Sequence, residues 1–155
     1  MKIEFDQERH SEDFIRLNEQ WITKYFALEE GDRNLAKYPF KIVEDGGHIL
    51  SLTDSGRVVG VCALFRDKDN PKLLQLARMA VEPEAHGKGY GNALMEAALQ
   101  RAKEMGATDV RLYTNTVLGP AVALYRKFGF RTVSEGPHPL YARCNIVMEK
   151  SLEPA

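Results

Sequence analysis

Leu76-Ala77-Arg78-Met79-Ala80-Val81-Glu82-Pro83-Glu84-Ala85-His86-Gly87-Lys88-Gly89-Tyr90-Gly91-Asn92-Ala93-Leu94 decides how the rest of the chain is read. An apolar strand runs into Pro83, a short loop follows with glycines at 87, 89 and 91, and a helix begins directly after it. Glycines at alternate positions let the backbone curl so that several N–H groups face one point. The helix N-terminus adds its own free N–H groups and a partial positive charge, and Lys88 adds a formal one. In this order, strand, glycine loop and helix form a seat for phosphate or pyrophosphate. Two common phosphate loops do not fit. A Walker loop needs Ser or Thr after Gly-Lys and a glycine five residues earlier, whereas Gly89 follows Lys88 and Glu82 holds the earlier place. A dinucleotide fingerprint needs G-x-G-x-x-G opening a βαβ unit, whereas Asn92 stands where its third glycine belongs and a hairpin precedes the loop.

On the N-terminal side, Lys2 to Asp6 alternates as a first strand. Glu8 to Tyr25 carries Phe14, Ile15, Leu17, Trp21, Ile22 and Tyr25 on one helical face, and the acids after Ser11 suit a helix start. Ala27 to Tyr38 reads as a shorter helix, interrupted near Gly31 and bounded by Pro39. His48 to Thr53 and Val58 to Phe65 form a hairpin about Asp54-Ser55-Gly56, and Leu73 to Val81 is the strand that enters the glycine loop. On the C-terminal side, Gly89 to Met105 is a helix ended by Gly106. Val110 to Thr114 is a strand, and Pro120 to Phe128 a helix with proline in its first turn and Gly129 past its end. Phe130 to Ser134 and Tyr141 to Glu149 close the chain as strands. Early strands joined by hairpins and later ones joined through helices predict one α/β (α+β) domain over residues 1–155. Its mixed sheet has about seven strands, with about four helices spread over both faces.

The bulk numbers fit that reading. With 155 residues, 44% hydrophobic and 28% charged, the chain can bury a core without a disulfide or a metal. A net charge of -1 with scattered Lys and Arg shows no footprint for nucleic acid or a membrane surface. Cys62 and Cys144 lie in apolar runs without His or Cys at ligand spacing, so they read as reduced core thiols and no metal site is expected. The charged start Met1-Lys2-Ile3-Glu4-Phe5-Asp6 is unlike a signal peptide, and no apolar run approaches the ~18 residues of a membrane span. A cytoplasmic protein is expected.

The segment His86-Gly87-Lys88-Gly89-Tyr90-Gly91 resembles motif A of the GNAT superfamily of N-acetyltransferases, Gln/Arg-x-x-Gly-x-Gly/Ala, with His86 in place of the first residue. The resemblance covers about Gly47 to Met148 and is strongest from Leu74 to Phe130. It implies the GNAT acyl-CoA N-acyltransferase fold, a mostly antiparallel mixed sheet, with acetyl-CoA as co-substrate. Met79, Ala80 and Val81 would then offer backbone bonds to the pantetheine arm. His86, Gly87, Lys88, Gly89, Tyr90, Gly91 and Asn92 would hold the pyrophosphate, mainly through N–H groups. The family's strand carrying Met79 splays from its neighbour to admit the thioester, and a backbone N–H near Val81 would face the oxyanion. Many small members pair through their C-terminal strands, so a homodimer is also implied.

The run Ala121-Val122-Ala123-Leu124-Tyr125-Arg126-Lys127-Phe128-Gly129-Phe130 places Ala121, Leu124, Tyr125 and Phe128 on one helical face, so Tyr125 points inward. Its A-x-x-L-Y-x-x-x-G-F pattern resembles motif B of the same family, whose tyrosine lies near the thioester sulfur. A phenol with a pKa near 10 stays protonated at neutral pH and can donate to a leaving thiolate. Tyr125 is the candidate general acid. The family often has Asn seven residues earlier, where this chain has Leu118; Asn115 is the substitute candidate for contacting CoA.

Activating the amine needs a proton acceptor or water. Gln75 stands where some members have a Glu base, eleven residues before the loop motif, and an amide cannot serve. Glu82, His48 and His138 are the alternatives, each also readable as an ordinary surface group. The family's acceptor contacts usually come from the first helices and last strands, which here hold Trp21, Tyr25, Phe26, Glu29, Glu30, Asp32, Tyr38, Tyr141 and Arg143. The acids and aromatics of Tyr25 to Asp32 can receive a cationic amine, expected to be a small molecule. Three readings stand: an acetyl-CoA-dependent N-acetyltransferase, a non-catalytic acyl-CoA sensor of the same fold, and a nucleotide-binding module.

Overall fold

The structure is a computed structural model describing residues 1–152. Seven strands form one sheet in the order β1-β2-β3-β4-β5-β7-β6. They are β1 (Lys2–Phe5), β2 (His48–Asp54), β3 (Arg57–Arg66), β4 (Leu73–Val81), β5 (Asp109–Thr114), β6 (Arg131–Glu135) and β7 (Ile146–Ser151). Only β4 and β5 run parallel; every other neighbouring pair is antiparallel. The helices are α1 (Ser11–Tyr25), α2 (Glu30–Lys37), α3 (Lys41–Glu44), α4 (Tyr90–Glu104) and α5 (Gly119–Lys127).

Helices cover both faces, and the side-chain periods show why. Phe14 and Leu17 of α1 pack with Val61, Ala63 and Ala80 on one face. Leu94, Met95, Ala98 and Ala102 of α4 pack with Leu50, Leu64, Leu74 and Leu76 on the other. Burying each such Leu, Ile or Phe side chain is worth about 1.5–3 kcal/mol. Covered on both sides, β3 is buried from Val58 to Leu64, hence its unbroken apolar run.

Three sequence expectations are corrected here. The second helix is not interrupted at Gly31. It starts at Glu30, because the Asp32 carboxylate accepts the Glu29 N–H at 2.8 Å and closes the first turn around that glycine. A short helix, α3, follows Pro39, making five α-helices among the described residues where about four were expected. The last strand begins at Ile146 instead of Tyr141. Cys144 N–H bonds to Tyr141 O at 3.0 Å, which turns the backbone so that the alternation of residues 141–144 is not a strand's.

The feature that shapes the site is a bulge in β4. Ala77 pairs with Ala63 and Ala80 with Val61, so Arg78 and Met79 together face Cys62. Arg78 takes φ +59, a left-handed conformation that costs a non-glycine residue about 1–2 kcal/mol. Buried Asn18 of α1 supports it, donating to Arg78 O at 3.1 Å and to Phe14 O at 3.0 Å while accepting from Trp21 Nε1 at 3.1 Å. Strand β5 keeps its pairing with β7 throughout, whereas β4 pairs with β5 only at Leu73, Leu74 and Gln75. Beyond Gln75 the two parallel strands part, leaving a V-shaped split in the middle of the sheet.

Candidate active site

The glycine loop sits at the end of the split. Gly87 and Gly89 have φ of +86 and +82, and Gly89 in this left-handed turn is the N-cap of α4. Among the described residues, the N–H groups of Gly87 through Asn92 make no backbone hydrogen bond, and the first turn of α4 carries no acid. Six free donors at the positive end of a fifteen-residue helix suit a diphosphate. Gly91 is small for a packing reason: a Cβ there would meet Leu124 Cδ2 at 3.3 Å, so α5 lies against the first turn of α4.

The side chains of this loop have structural duties of their own. Tyr90 is buried, and its hydroxyl donates to Asp54 at the end of β2. Asn92 Oδ1 accepts Lys127 Nζ at 3.0 Å, joining α4 to α5. His86 Nε2 lies 3.0 Å from Val81 O, an arrangement the sequence did not suggest. Lys88 is exposed. What the loop offers a ligand is therefore its backbone together with Lys88.

At the end of β4, Glu82 N–H bonds to Val59 O at 2.8 Å. By the alternation of an antiparallel ladder, Ala80 turns its polar groups to β3 and Val81 turns its own toward the split. Val81 N–H is thus a donor on the open edge. Asn115, at the end of β5, has both ends of its amide engaged: Nδ2 donates to Arg143 O at 3.1 Å and Oδ1 accepts Val117 N–H at 2.9 Å. It ties the β5–α5 connection to the segment before β7.

Tyr125 is half-buried, packed edge-on to Phe130 with ring centroids 6.1 Å apart. Burial pushes its phenol up to about 12, with a smaller push from the neighbouring Cys62 thiol. Cys62 faces the β4 bulge, which puts Tyr125 near the stretch of β4 that no longer pairs with β5. The Tyr125 hydroxyl has no hydrogen-bond partner among the described residues. The Cys62 thiol is fully buried and likewise raised to about 12, which leaves it an inert core group.

The three alternative bases are placed elsewhere or engaged. Glu82 is buried and bonded to Arg16 Nη1 at 2.9 Å; that hydrogen bond outweighs desolvation and holds its carboxyl below the usual range. His48 pairs with Asp6 at 2.6 Å, and it lies level with Leu64 and Leu76, toward the end of the sheet remote from the glycine loop. His138 Nδ1 accepts Leu140 N–H at 3.1 Å, so the neutral ring carries its proton on Nε2 and has no lone pair there. Glu82→Gln is expected to leave the pH profile of catalysis unchanged while lowering stability by about 1–2 kcal/mol at neutral pH. Because the folded-state pKa of Glu82 is lowered, its contribution is full above the unfolded value and fades as the pH falls. Urea midpoints of variant and wild type should therefore converge on acidification; a gap that is constant from pH 7 to pH 3 rules this account out.

Asp32, expected to meet a cationic amine, is instead buried and saturated. It accepts Arg78 Nη1 at 2.8 Å, both terminal nitrogens of Arg143 (Nη2 at 2.8 Å) and Glu29 N–H. Burial would raise its pKa; the bonds from Arg143, the Glu29 backbone and Arg78 overcome this and hold it far below the usual carboxylate range. The cluster joins α2, the β4 bulge and the segment before β7. Of the acids in this region, Glu29 keeps a half-exposed carboxylate, 3.1 Å from Arg143.

The split parallel pair is thus closed at one end by a free-donor helix start, with Tyr125 at its side. The model of the acetyltransferase (GNAT) family matches residues 7–130, and the chain belongs to that family. N-acetyltransferase 8 of Rattus norvegicus is 39% identical over 117 residues, covering 74% of this chain and 46% of that protein. Mycothiol acetyltransferase of Pseudarthrobacter chlorophenolicus is 33% identical over 109 residues, covering 66% of this chain and 34% of that one. The chain thus spans less than half the length of these curated relatives. A GNAT-family acetyltransferase from Staphylococcus aureus shares the fold at TM-score 0.84 and 17% identity, covering 98% of this chain and all of that one. A putative acetyltransferase from Salmonella typhimurium, solved with acetyl-CoA, does so at 0.80 and 16% identity, covering 100% of this chain and 95% of that one.

Proposed function

We propose that the chain is an N-acetyltransferase that moves the acetyl group of acetyl-CoA onto the primary amine of a small molecule, by direct attack in a ternary complex. The observation that carries this is the unbonded hydroxyl of Tyr125 at the β4–β5 split, beside a loop of free N–H groups. The loop Gly87 to Asn92, with Lys88, fits a pyrophosphate, and the open edge at Val81 fits an extended pantetheine arm. The neutral amine attacks the thioester carbon, and the carbonyl oxygen gains charge that Val81 N–H can meet. The C–S bond then breaks and Tyr125 gives its proton to the departing sulfur, while the nitrogen's surplus proton goes to water. With Glu82, His48 and His138 engaged or remote, no side chain is assigned as base. Alignment of amine and thioester supplies much of the rate, a term worth ~7–11 kcal/mol in well-ordered systems. The same reading has the chain act as a single domain in the cytoplasm, where acetyl-CoA is available and the free thiols Cys62 and Cys144 stay reduced.

Free-thiol release from acetyl-CoA, measured across polyamines, amino acids, aminoglycosides, aralkylamines and short peptides, tests this. Release with one amine class supports it. Silence with every amine, while acetyl-CoA still binds, would overturn the small-molecule reading and leave a macromolecular amine or an acyl-CoA sensor. Gly87→Ala is expected to weaken acetyl-CoA binding roughly five- to thirtyfold by calorimetry, because alanine lets the free loop relax away from φ +86 and binding must then restore that conformation at about 1–2 kcal/mol, although the Cβ has open space. Unchanged affinity would separate the loop from the ligand.

A further inference from the structure

The segment between β6 and β7 brings an aromatic group to the edge of the split. Tyr113, His138 and Tyr141 touch one another, with ring centroids 5.3, 4.9 and 5.0 Å apart for Tyr113–His138, Tyr113–Tyr141 and His138–Tyr141. Val110 and Leu112 of β5 bury against α4, so Tyr113 lies on the opposite face, the side of α1 and α2. Its position near the end of β5 is beyond the last residue that pairs with β4. Across the split on that same side, Trp21 bonds to the Asn18 that holds the bulge, and it meets Phe26 edge-on at 6.3 Å. Between these aromatic walls the charges cancel: Arg78 and Arg143 against Asp32 and Glu29. A cleft of this kind has no net charge with which to select a polycation or a carboxylate. Its distinguishing chemistry is the ring faces, and Tyr141 is 44% exposed.

We propose that the acceptor is an aralkylamine, a primary amine on a short alkyl arm from an aromatic ring, whose ring rests on Tyr113, His138 and Tyr141. This specificity rests on the acetyltransferase reading. Arg143, two residues after Tyr141, is bound by Asp32 and so fixes the position of the aromatic shelf against α2. The ring therefore docks on the face away from α4, and its amine enters the split from the α1–α2 side.

The test compares 2-phenylethylamine with hexylamine in wild type, Tyr141→Ala and His138→Ala. Wild type should favour 2-phenylethylamine at least tenfold in kcat/KM. Tyr141→Ala should raise KM for that amine about tenfold, with kcat within twofold and a rise at least threefold smaller for hexylamine, and His138→Ala should give a smaller rise for 2-phenylethylamine. Calorimetric titration of 2-phenylethylamine into CoA-saturated protein reads the same contact without turnover. Equal preference for the two amines, or binding that ignores Tyr141→Ala, overturns the shelf. Turnover of aliphatic amines alone leaves acetyl transfer standing and sinks this specificity. Tyr141-dependent ring binding without any thiol release does the reverse.

Discussion

Tyr125→Phe is expected to lower kcat for acetyl transfer by roughly one hundredfold or more, with KM for acetyl-CoA little changed. Phenylalanine keeps the ring that packs on Phe130, and the lost hydroxyl leaves no donor or acceptor stranded, since it has no partner. Folding should be almost untouched, and the loss should appear in the step that expels the thiolate. The proton dependence sharpens the case. An acid must hold its proton to act, and burial moves the Tyr125 phenol up to about 12. The wild-type rate should therefore climb with pH as the amine loses its proton and show no Tyr125-linked fall below about pH 11. Steady-state thiol release from pH 7 to pH 10 reads both effects. A variant with kcat within threefold of wild type would make Tyr125 a packing residue only.

The parts of the site legible in the sequence are those that local rules write. Glycines at 87, 89 and 91 before a helix mark free N–H groups because few other local structures need that spacing. Tyr125 could be turned inward by counting along α5. The β4–β5 split was expected only through the family resemblance; its physical cause, Arg78 in a left-handed conformation within a bulge, leaves no mark in an apolar strand read by period. The misread helix at Gly31 and the misplaced start of the last strand share one origin. Both segments are shaped by Asp32 and Arg143, which meet across 111 positions of the chain. Helical and strand periods contain no information at that range. The same distance hid the fate of Asp32, which looked like a free acid for a cationic amine and is consumed by two arginines.

Asp32→Ala is accordingly expected to be the most damaging single change to stability, costing about 3–5 kcal/mol. Removing the carboxylate leaves Arg78 without the anion it is bonded to and Arg143 with only the half-exposed Glu29, and strips the first turn of α2 of its bond to Glu29 N–H. For a chain of 155 residues that corresponds to a fall in Tm of roughly 6–20 °C. The folded-state pKa of Asp32 is depressed, so its contribution is complete above the unfolded value of 3.8 and is lost as the pH falls through the much lower folded value. The gap between variant and wild type should be steady from pH 8 to pH 5 and begin to narrow only below about pH 4. A double variant, Asp32→Leu with Arg143→Met, separates the two sources of the loss. Replacing two members of a buried ion cluster with apolar groups of similar volume often restores stability, so the double variant should be more stable than Asp32→Ala. If Asp32→Ala instead costs less than about 1 kcal/mol, the cluster behaves like an ordinary surface pair. In that case α2 owes its placement to Leu35, packed against the cluster of Phe14, Leu17 and Ile42, rather than to Asp32.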